Sequence, residues 1–280
     1  MSQVAAQPRL SRPAYVVIPA RLDSTRLPRK MLLRETGKTL IQHTYEAVRT
    51  ARRPMGVCVA TDSDEIVAEV LAFGGQVRLT SPELVCGTDR VAELARVSAF
   101  AGIDIVVNVQ GDEPEITGKA VDTVIEIMER HPEAAMATLA APIRNREQLH
   151  NPACVKAVLA DVSPSVGETW VGRAVYFSRA AVPHARDWAP ELLRAWPPAF
   201  YQHVGVYAYR RDFLLRLSEM PPSPLESIEK LEQLRALEAG QPILVGVTDT
   251  ATTGIDTPAD YQSFVERIAG PLPSDAEFVA

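Results

Sequence analysis

The 280-residue chain has three cysteines, Cys58, Cys86 and Cys154, odd in number, far apart and without a C-x-x-C. That excludes a disulfide framework and gives a zinc site no support. No run reaches the ~18 apolar residues a membrane span needs, so no membrane partner is expected. The opening "MSQVAAQPRLSRP" lacks the apolar stretch of a secretory signal, and residues 1–13 read as a flexible arm. A reducing, cytoplasmic location is the expectation. Positive charge is scarce: 29 Lys and Arg face 35 Asp and Glu, a net −6 at pH 7. General nucleic-acid binding is therefore not expected. Two phosphate signatures are missing as well. "ETGKTL" lacks the upstream glycine of a P-loop, and no G-x-G-x-x-G follows the first strand-like run.

What is present alternates. "AYVVIPA", "MGVCVAT", "QVRLT" and "DIVVNVQ" read as short buried strands, separated by the helix-like "GKTLIQHTYEAVRTA", "SDEIVAEVLAFGG" and "GTDRVAELARVSAF". Continuous apolar strands alternating with helices predict a doubly wound, mostly parallel α/β sheet. From about Met136 the rhythm changes to strand-like runs without helices between them ("AMATLAAPI", "ACVKAVLAD", "RAVYFSRAAVP"), then a proline-rich loop over 181–198. This predicts an elaborated second half of mixed strands. "HVGVYAYRRDFLLRL" reads as strand and helix, "PILVGV" as a strand and "DTPADYQSFVERI" as a closing helix. In between, "SPLESIEKLEQLRALEAG" reads as one helix, with Ser223 as N-cap, Pro224 at N1 and Gly240 at the end. A single domain over 14–280 is the economical reading.

Against the acidic background, one loop is basic. From Arg21 to Arg34 it carries Arg21, Arg26, Arg29, Lys30 and Arg34, with Asp23 its one acid. It follows the first strand, where ligands bind in open parallel sheets. Forked guanidiniums and an ammonium there suit a phosphate chain; a solvated basic loop is the ordinary alternative. "VNVQGDEPEI" places Asp112 and Glu113 after another strand, at a glycine turn. A carboxylate there suits Mg²⁺ or an ordinary turn about equally. In "TTGIDTPADY", Thr257, Pro258 and Asp260 form a capping pattern, leaving Asp256 free as a second metal ligand. Asp62 in "VATDSDEI" reads as a helix cap. "CGTDR" opens a helix, whose free N–H groups suit an anion or a base edge.

Taken together, these pieces resemble the CMP-KDO synthetases, the 3-deoxy-manno-octulosonate (KDO) cytidylyltransferases. "IPAR..STRLP.K", "GT.R", "NVQGDEP", "YFSRA.VP", "H.G.Y.YR", "PSPLE.IE.LEQLR" and "G.DTP.D" follow in that order between Tyr15 and Asp260. The resemblance implies a nucleotidyltransferase that moves CMP from CTP to KDO with Mg²⁺, for lipopolysaccharide synthesis. It also implies a homodimer, with 136–210 serving sugar binding and the subunit contact. Arg21, Lys30 and Asp112 would be catalytic. Arg26, Gly87 and Thr88 would join Arg21 and Lys30 on the nucleotide, and Asp112 and Asp256 would bind the metal. Gln110, Arg179, His203, Tyr207, Glu229 and Gln233 would surround the sugar acid. A single helix would also put Glu226, Glu229 and Gln233 on one face. The chain departs from the family pattern at Val85-Cys86, where Gln-Ser is usual, and at Arg29, which adds charge to the phosphate loop. Cytidylyltransferases for sialic acid or 8-amino-KDO, a metal-dependent nucleotide-sugar glycosyltransferase and a non-catalytic nucleotide-binding regulator are the alternatives.

Overall fold

A computed structural model describes residues 12–84, 86–164, 169–249, 251–252 and 254–269. Val85 and residues 1–11 of the arm lie outside them. Strands β1 (Ala14–Ala20), β2 (Val57–Thr61), β3 (Val77–Leu79) and β4 (Ile105–Val109) are parallel, in the order β3-β2-β1-β4. Their alternating side chains split the core into two layers. Val16 and Ile18 face α1 (Leu40–Val48), α2 (Asp64–Ala72) and α4 (Gly118–Arg130). Val17 faces the other way, toward α3 (Gly87–Arg96) and α6 (Arg211–Glu219). With both faces covered, each buried Val or Ile contributes roughly 1.5–3 kcal/mol. The expectations above do not include α4, although its signals are in the sequence. Thr117 caps it, accepting from Ala120 N at 3.1 Å, and Val121, Val124, Ile125 and Met128 make its apolar stripe.

The second half adds β5 (Met136–Pro142), β6 (Lys156–Pro164), β7 (Trp170–Ser178), β8 (Tyr201–Arg210) and β9 (Ile243–Val247) to the same sheet. The full order is β3-β2-β1-β4-β8-β5-β9-β7-β6, with β6 also pairing β8. Strand β8 runs antiparallel to β4, β5 and β6, and β7 antiparallel to β6 and β9. The remaining strands share one direction; four of the strand pairings are parallel and five antiparallel, so the sheet is mixed, with the first half parallel. A short helix, α5 (Arg146–His150), interrupts the region expected to lack helices.

One expected helix is two. The 223–240 segment forms α7 (Pro224–Glu229) and α8 (Gln233–Glu238), broken where Lys230 turns left-handed (φ 56°, ψ 49°). Its start is as expected, since Ser223 and Glu226 form a reciprocal capping box. The break has a packing cause. Ile228 is 77% exposed while Leu231 and Leu234 are buried, an arrangement one continuous stripe could not give. Glu226, Glu229 and Gln233 therefore do not share a face. The closing helix α9 (Pro258–Ala269) packs Tyr261 and Phe264 on Leu27, Leu40 and Ile255. That small core ties the basic loop to the segment before Asp256.

Candidate active site

The five cations of the basic loop divide into two groups. Arg29 pairs with Glu65, and Arg34 with Glu69 at 2.6 Å, both acids on α2. Arg29 therefore adds its charge to the α2 surface rather than to the cleft. Its backbone is left-handed (φ 57°), and it opens a 3-10 turn over Lys30–Leu32. Arg21, Arg26 and Lys30 instead line one cleft of about 380 Å³ at the carboxyl edge of β1, with Gly87, Gln110 and Asp112 also on its walls. Arg21 is braced there by a bond from its guanidinium to Leu84 O at 2.9 Å.

Lys30 is the junction. Its ammonium donates to Asp112 Oδ2 at 2.5 Å, Asp256 Oδ1 at 3.1 Å and Ile255 O at 3.1 Å. Arg26 pairs with the same Asp256 oxygen at 2.9 Å. Burial works against the charge on Lys30, but Asp112 and then Asp256 outweigh it, and its pKa lies above the ordinary lysine value. Carboxylates far apart in the chain thus share one cationic centre. The backbone explains how: Ile255 N donates to Asp112 O at 2.9 Å, stitching the two loops together. Gly111 lets the Asp112 turn lie close against β1, because a Cβ there would sit 2.9 Å from Pro19 O. Asp256 is free for this role because Thr257 and Asp260 cap α9, with Asp260 N donating to Thr257 Oγ1 at 3.2 Å.

A second cleft, of about 450 Å³, adjoins the first, and Gln110, Asp112, Glu232 and Asp256 belong to both. Arg179, His203, Tyr207 and Gln233 line it. Thr138 uses its one hydroxyl hydrogen on Val206 O at 2.7 Å, so His203 must donate from Nε2 to Thr138 Oγ1, 2.9 Å away. In a neutral ring that bond leaves Nδ1 as the acceptor. Burial pushes the His203 pKa down to about 3, so the ring is uncharged at neutrality. Tyr207, its pKa raised by burial, donates to Gln233 Oε1 at 3.2 Å, and among the described residues the buried Gln233 Nε2 has no partner.

Several expected residues sit differently. The Thr88 hydroxyl bonds Glu232 and lines the second cleft; Gly87 and Cys86 line the first. Cys86 replaces a capping hydroxyl, its Sγ accepting from Asp89 N at 3.4 Å. Glu229 lines neither cleft. Its carboxylate accepts from Ser178 Oγ at 2.6 Å and Arg179 N at 2.9 Å, behind the wall. Asp62 does not cap α2; Ser63 does, and Asp62 instead pairs with the buried Arg90 at 2.6 Å. The arginine of "GT.R" is thereby a brace under the turn.

Of the other carboxylates in the clefts, Glu232 was not expected as a site residue, and Glu113 was a candidate beside Asp112 to which no role was assigned. Glu232 could be found only once the helix break was known. Glu113 was visible beside Asp112, but its burial was not. Thr252 is its side-chain neighbour, but among the described residues no partner lies within hydrogen-bond geometry of its Oε2, and a Cβ on Gly205 would fall 2.7 Å from Oε1. Burial, with Asp112 and Asp256 nearby, lifts the Glu113 pKa to about 7. Between its unfolded value near 4.5 and about 7, the native state holds a proton that the unfolded chain has lost. Stability from this group is therefore present below about 4.5 and lost as pH rises through 7. Glu113→Gln should gain stability over the wild type by up to about 3 kcal/mol between pH 5 and 8. Urea titrations of both proteins across that range check it, and a constant difference would refute it.

A doubly wound sheet with one cleft carrying Arg21, Arg26 and Lys30, and a second polar cleft that shares Asp112, Glu232 and Asp256 with it, defines a nucleotidyltransferase-like class. The cytidylyltransferase family model matches residues 15–243. This chain belongs to the cytidylyltransferase family. A Rhodopirellula baltica protein named 3-deoxy-manno-octulosonate cytidylyltransferase is 50% identical over 254 residues, 90% of this chain and 97% of that protein. A Shewanella baltica 8-amino-3,8-dideoxy-manno-octulosonate cytidylyltransferase is 40% identical over 255 residues, 91% and 98% of the two chains. Among solved structures, a CMP:2-keto-3-deoxy-manno-octonic acid synthetase complexed with CTP superposes with a TM-score of 0.79 at 37% identity. That match covers 92% of this chain and 98% of the other.

Proposed function

We propose that the protein transfers CMP from CTP to the anomeric hydroxyl of KDO, releasing diphosphate and supplying CMP-KDO for lipopolysaccharide synthesis. The observation that carries this is the meeting of the two clefts at Asp112 and Asp256. The triphosphate belongs in the first cleft. There Arg21, Arg26 and Lys30 neutralise the phosphates and the charge that develops on the leaving diphosphate. The sugar acid belongs in the second. There Gln110, the neutral His203, Tyr207, Gln233 and Arg179 orient its hydroxyls, placing the attacking oxygen at the shared wall.

Mg²⁺ fits Asp112 and Asp256. Both offer hard oxygen donors, and the Lys30 ammonium already sits within bonding distance of both. Among the described residues no group of three or more His, Cys, Asp or Glu could hold a metal. Two carboxylates, completed by water and phosphate oxygens, suit an ion that keeps much of its hydration. When bound, it would supply charge neutralisation at the transferred phosphate.

We further propose a cytoplasmic homodimer. Val175 and Trp196 of the second half, 51% and 55% exposed, support a subunit contact there. Among the described residues no helix is long and apolar enough to cross a membrane.

Purified protein with CTP, KDO and Mg²⁺ should release diphosphate, and CTP should outperform UTP and ATP. The 40% relative named for the 8-amino sugar makes that acceptor the comparison of interest. Diphosphate release with 8-amino-KDO or sialic acid but not with KDO would overturn the assignment. Release of a nucleoside diphosphate from a sugar nucleotide would instead indicate a glycosyltransferase.

A further inference from the structure

Thr138, in β5, has no exposed surface and is flanked by the buried Ala137 and Leu139. A hydroxyl shut away in such a strand is costly unless it is used. The β5–β8 register slips beside it. Thr138 faces Tyr207 while Leu139 faces Val204, so Gly205 and Val206 have no partner on β5. The Thr138 hydroxyl closes that bulge, donating to Val206 O at 2.7 Å with Val204 O 3.3 Å away. Patching the bulge needs only the hydrogen. The oxygen has a second task, accepting from Nε2 of His203 at 2.9 Å.

Packing fixes the rest of the imidazole. His203 N donates to Val155 O at 2.8 Å, which anchors the backbone. Phe177 meets the ring edge to face with centroids 5.2 Å apart, and Tyr207 is tilted against it at 5.1 Å and 33°. The ring lines the second cleft, and among the described residues no hydrogen bond reaches its Nδ1. Nδ1 is therefore the polar atom this ring can offer a ligand. A bare nitrogen lone pair receives a hydroxyl hydrogen well and is repelled by a carboxylate.

We propose that Thr138 is a positioning residue for the acceptor, holding His203 in the tautomer whose Nδ1 accepts from a hydroxyl of the sugar acid. This rests on the sugar acid occupying the second cleft, and it deepens that reading by giving His203 a hydroxyl rather than the acid group. Without the Thr138 oxygen, the Nε2 hydrogen loses its acceptor and the tautomer with the hydrogen on Nδ1 takes over. A hydroxyl oriented to donate then meets a second donor.

The test uses the full chain with histidines carrying the NMR-active nitrogen isotope. In the wild type at neutral pH, His203 should show a protonated-type Nε2 and an unprotonated-type Nδ1, the signals being assigned by their loss in His203→Gln. Saturating KDO, with CTP present and Mg²⁺ withheld, should shift Nδ1 toward the protonated range and leave Nε2 in place. Thr138→Val should move the hydrogen to Nδ1 and raise KM for KDO about tenfold, with kcat within about threefold and KM for CTP unchanged. Thr138→Ser, which restores the hydroxyl, should recover the tautomer and most of the affinity. A protonated-type Nδ1 in the wild type, or an Nδ1 signal that KDO leaves in place, overturns the proposal. So does a Thr138→Val variant that keeps the wild-type tautomer. A KM for CTP that rises in step with that for KDO would mark a merely structural residue and overturn it too. The wild-type spectra need no variant of Thr138, so they decide the matter even where Thr138→Val fails to fold. Failure of the reaction reading is seen separately, as missing diphosphate from the wild type with CTP, KDO and Mg²⁺.

Discussion

Asp112→Asn should lower kcat by about a thousandfold, on the order of 4 kcal/mol of transition-state stabilisation, with the fold intact. The fold should survive because Lys30 keeps two of its three partners, Asp256 and Ile255 O, and because asparagine matches the shape. The chemistry should not survive, because a neutral amide in place of one of two carboxylates halves the anionic charge available to a divalent ion. The arrangement also predicts an asymmetry between neighbours. Arg21→Ala should raise KM for CTP together with its loss of kcat, since Arg21 lines only the first cleft. Asp112→Asn should act chiefly on kcat once Mg²⁺ is saturating. Steady-state kinetics with Mg²⁺ titrated to saturation is the measurement. Activity within about tenfold of the wild type would remove Asp112 from the mechanism.

Glu226→Ala should destabilise the protein by about 3–5 kcal/mol, the largest loss of stability expected from one side chain near the site. Glu226 and Arg235 form a bidentate pair at 2.8 and 2.6 Å, with side chains only 9% and 8% exposed. Arg235 also donates to Leu217 O and Met220 O at the end of α6. The pair holds α7 against α8 across the left-handed Lys230. Removing the acid leaves a guanidinium buried and half satisfied, which costs more than the pair itself contributes. Replacing both residues with methionine should recover much of the loss, because no unpaired charge remains. Urea denaturation of the single and double variants decides this. A single-variant loss below about 1 kcal/mol would mean the pair is effectively solvated.

These two predictions come from different depths of reading. Asp112 was legible in the sequence: a β-branched strand, a glycine turn and a carboxylate at the sheet edge are local features. The basic loop was legible for the same reason, although which of its cations face inward was not. Arg29 and Lys30 are adjacent in sequence and part company only because α2 offers Glu65 to one while Asp112 and Asp256 receive the other. The helix break between Glu229 and Gln233 could not be read from periodicity. Apolar spacing there is compatible with a continuous helix, and the ion pair and leucine burial that break it involve residues in three separate elements. Glu113 was equally opaque. It looks like an ordinary surface charge until tertiary burial removes its water.

The sequence by itself determined the doubly wound first half, the caps of α7 and α9, and the residue types that could grip a triphosphate. These depend on short-range periodicity, on turn chemistry and on the strand edge where loops must emerge. Only the tertiary structure decided that Asp112 and Asp256 share one cation, and that Glu229 and Arg90 are braces. Those outcomes depend on which distant chain segments exclude water from one another, and dielectric environment is a property of packing that no local pattern encodes.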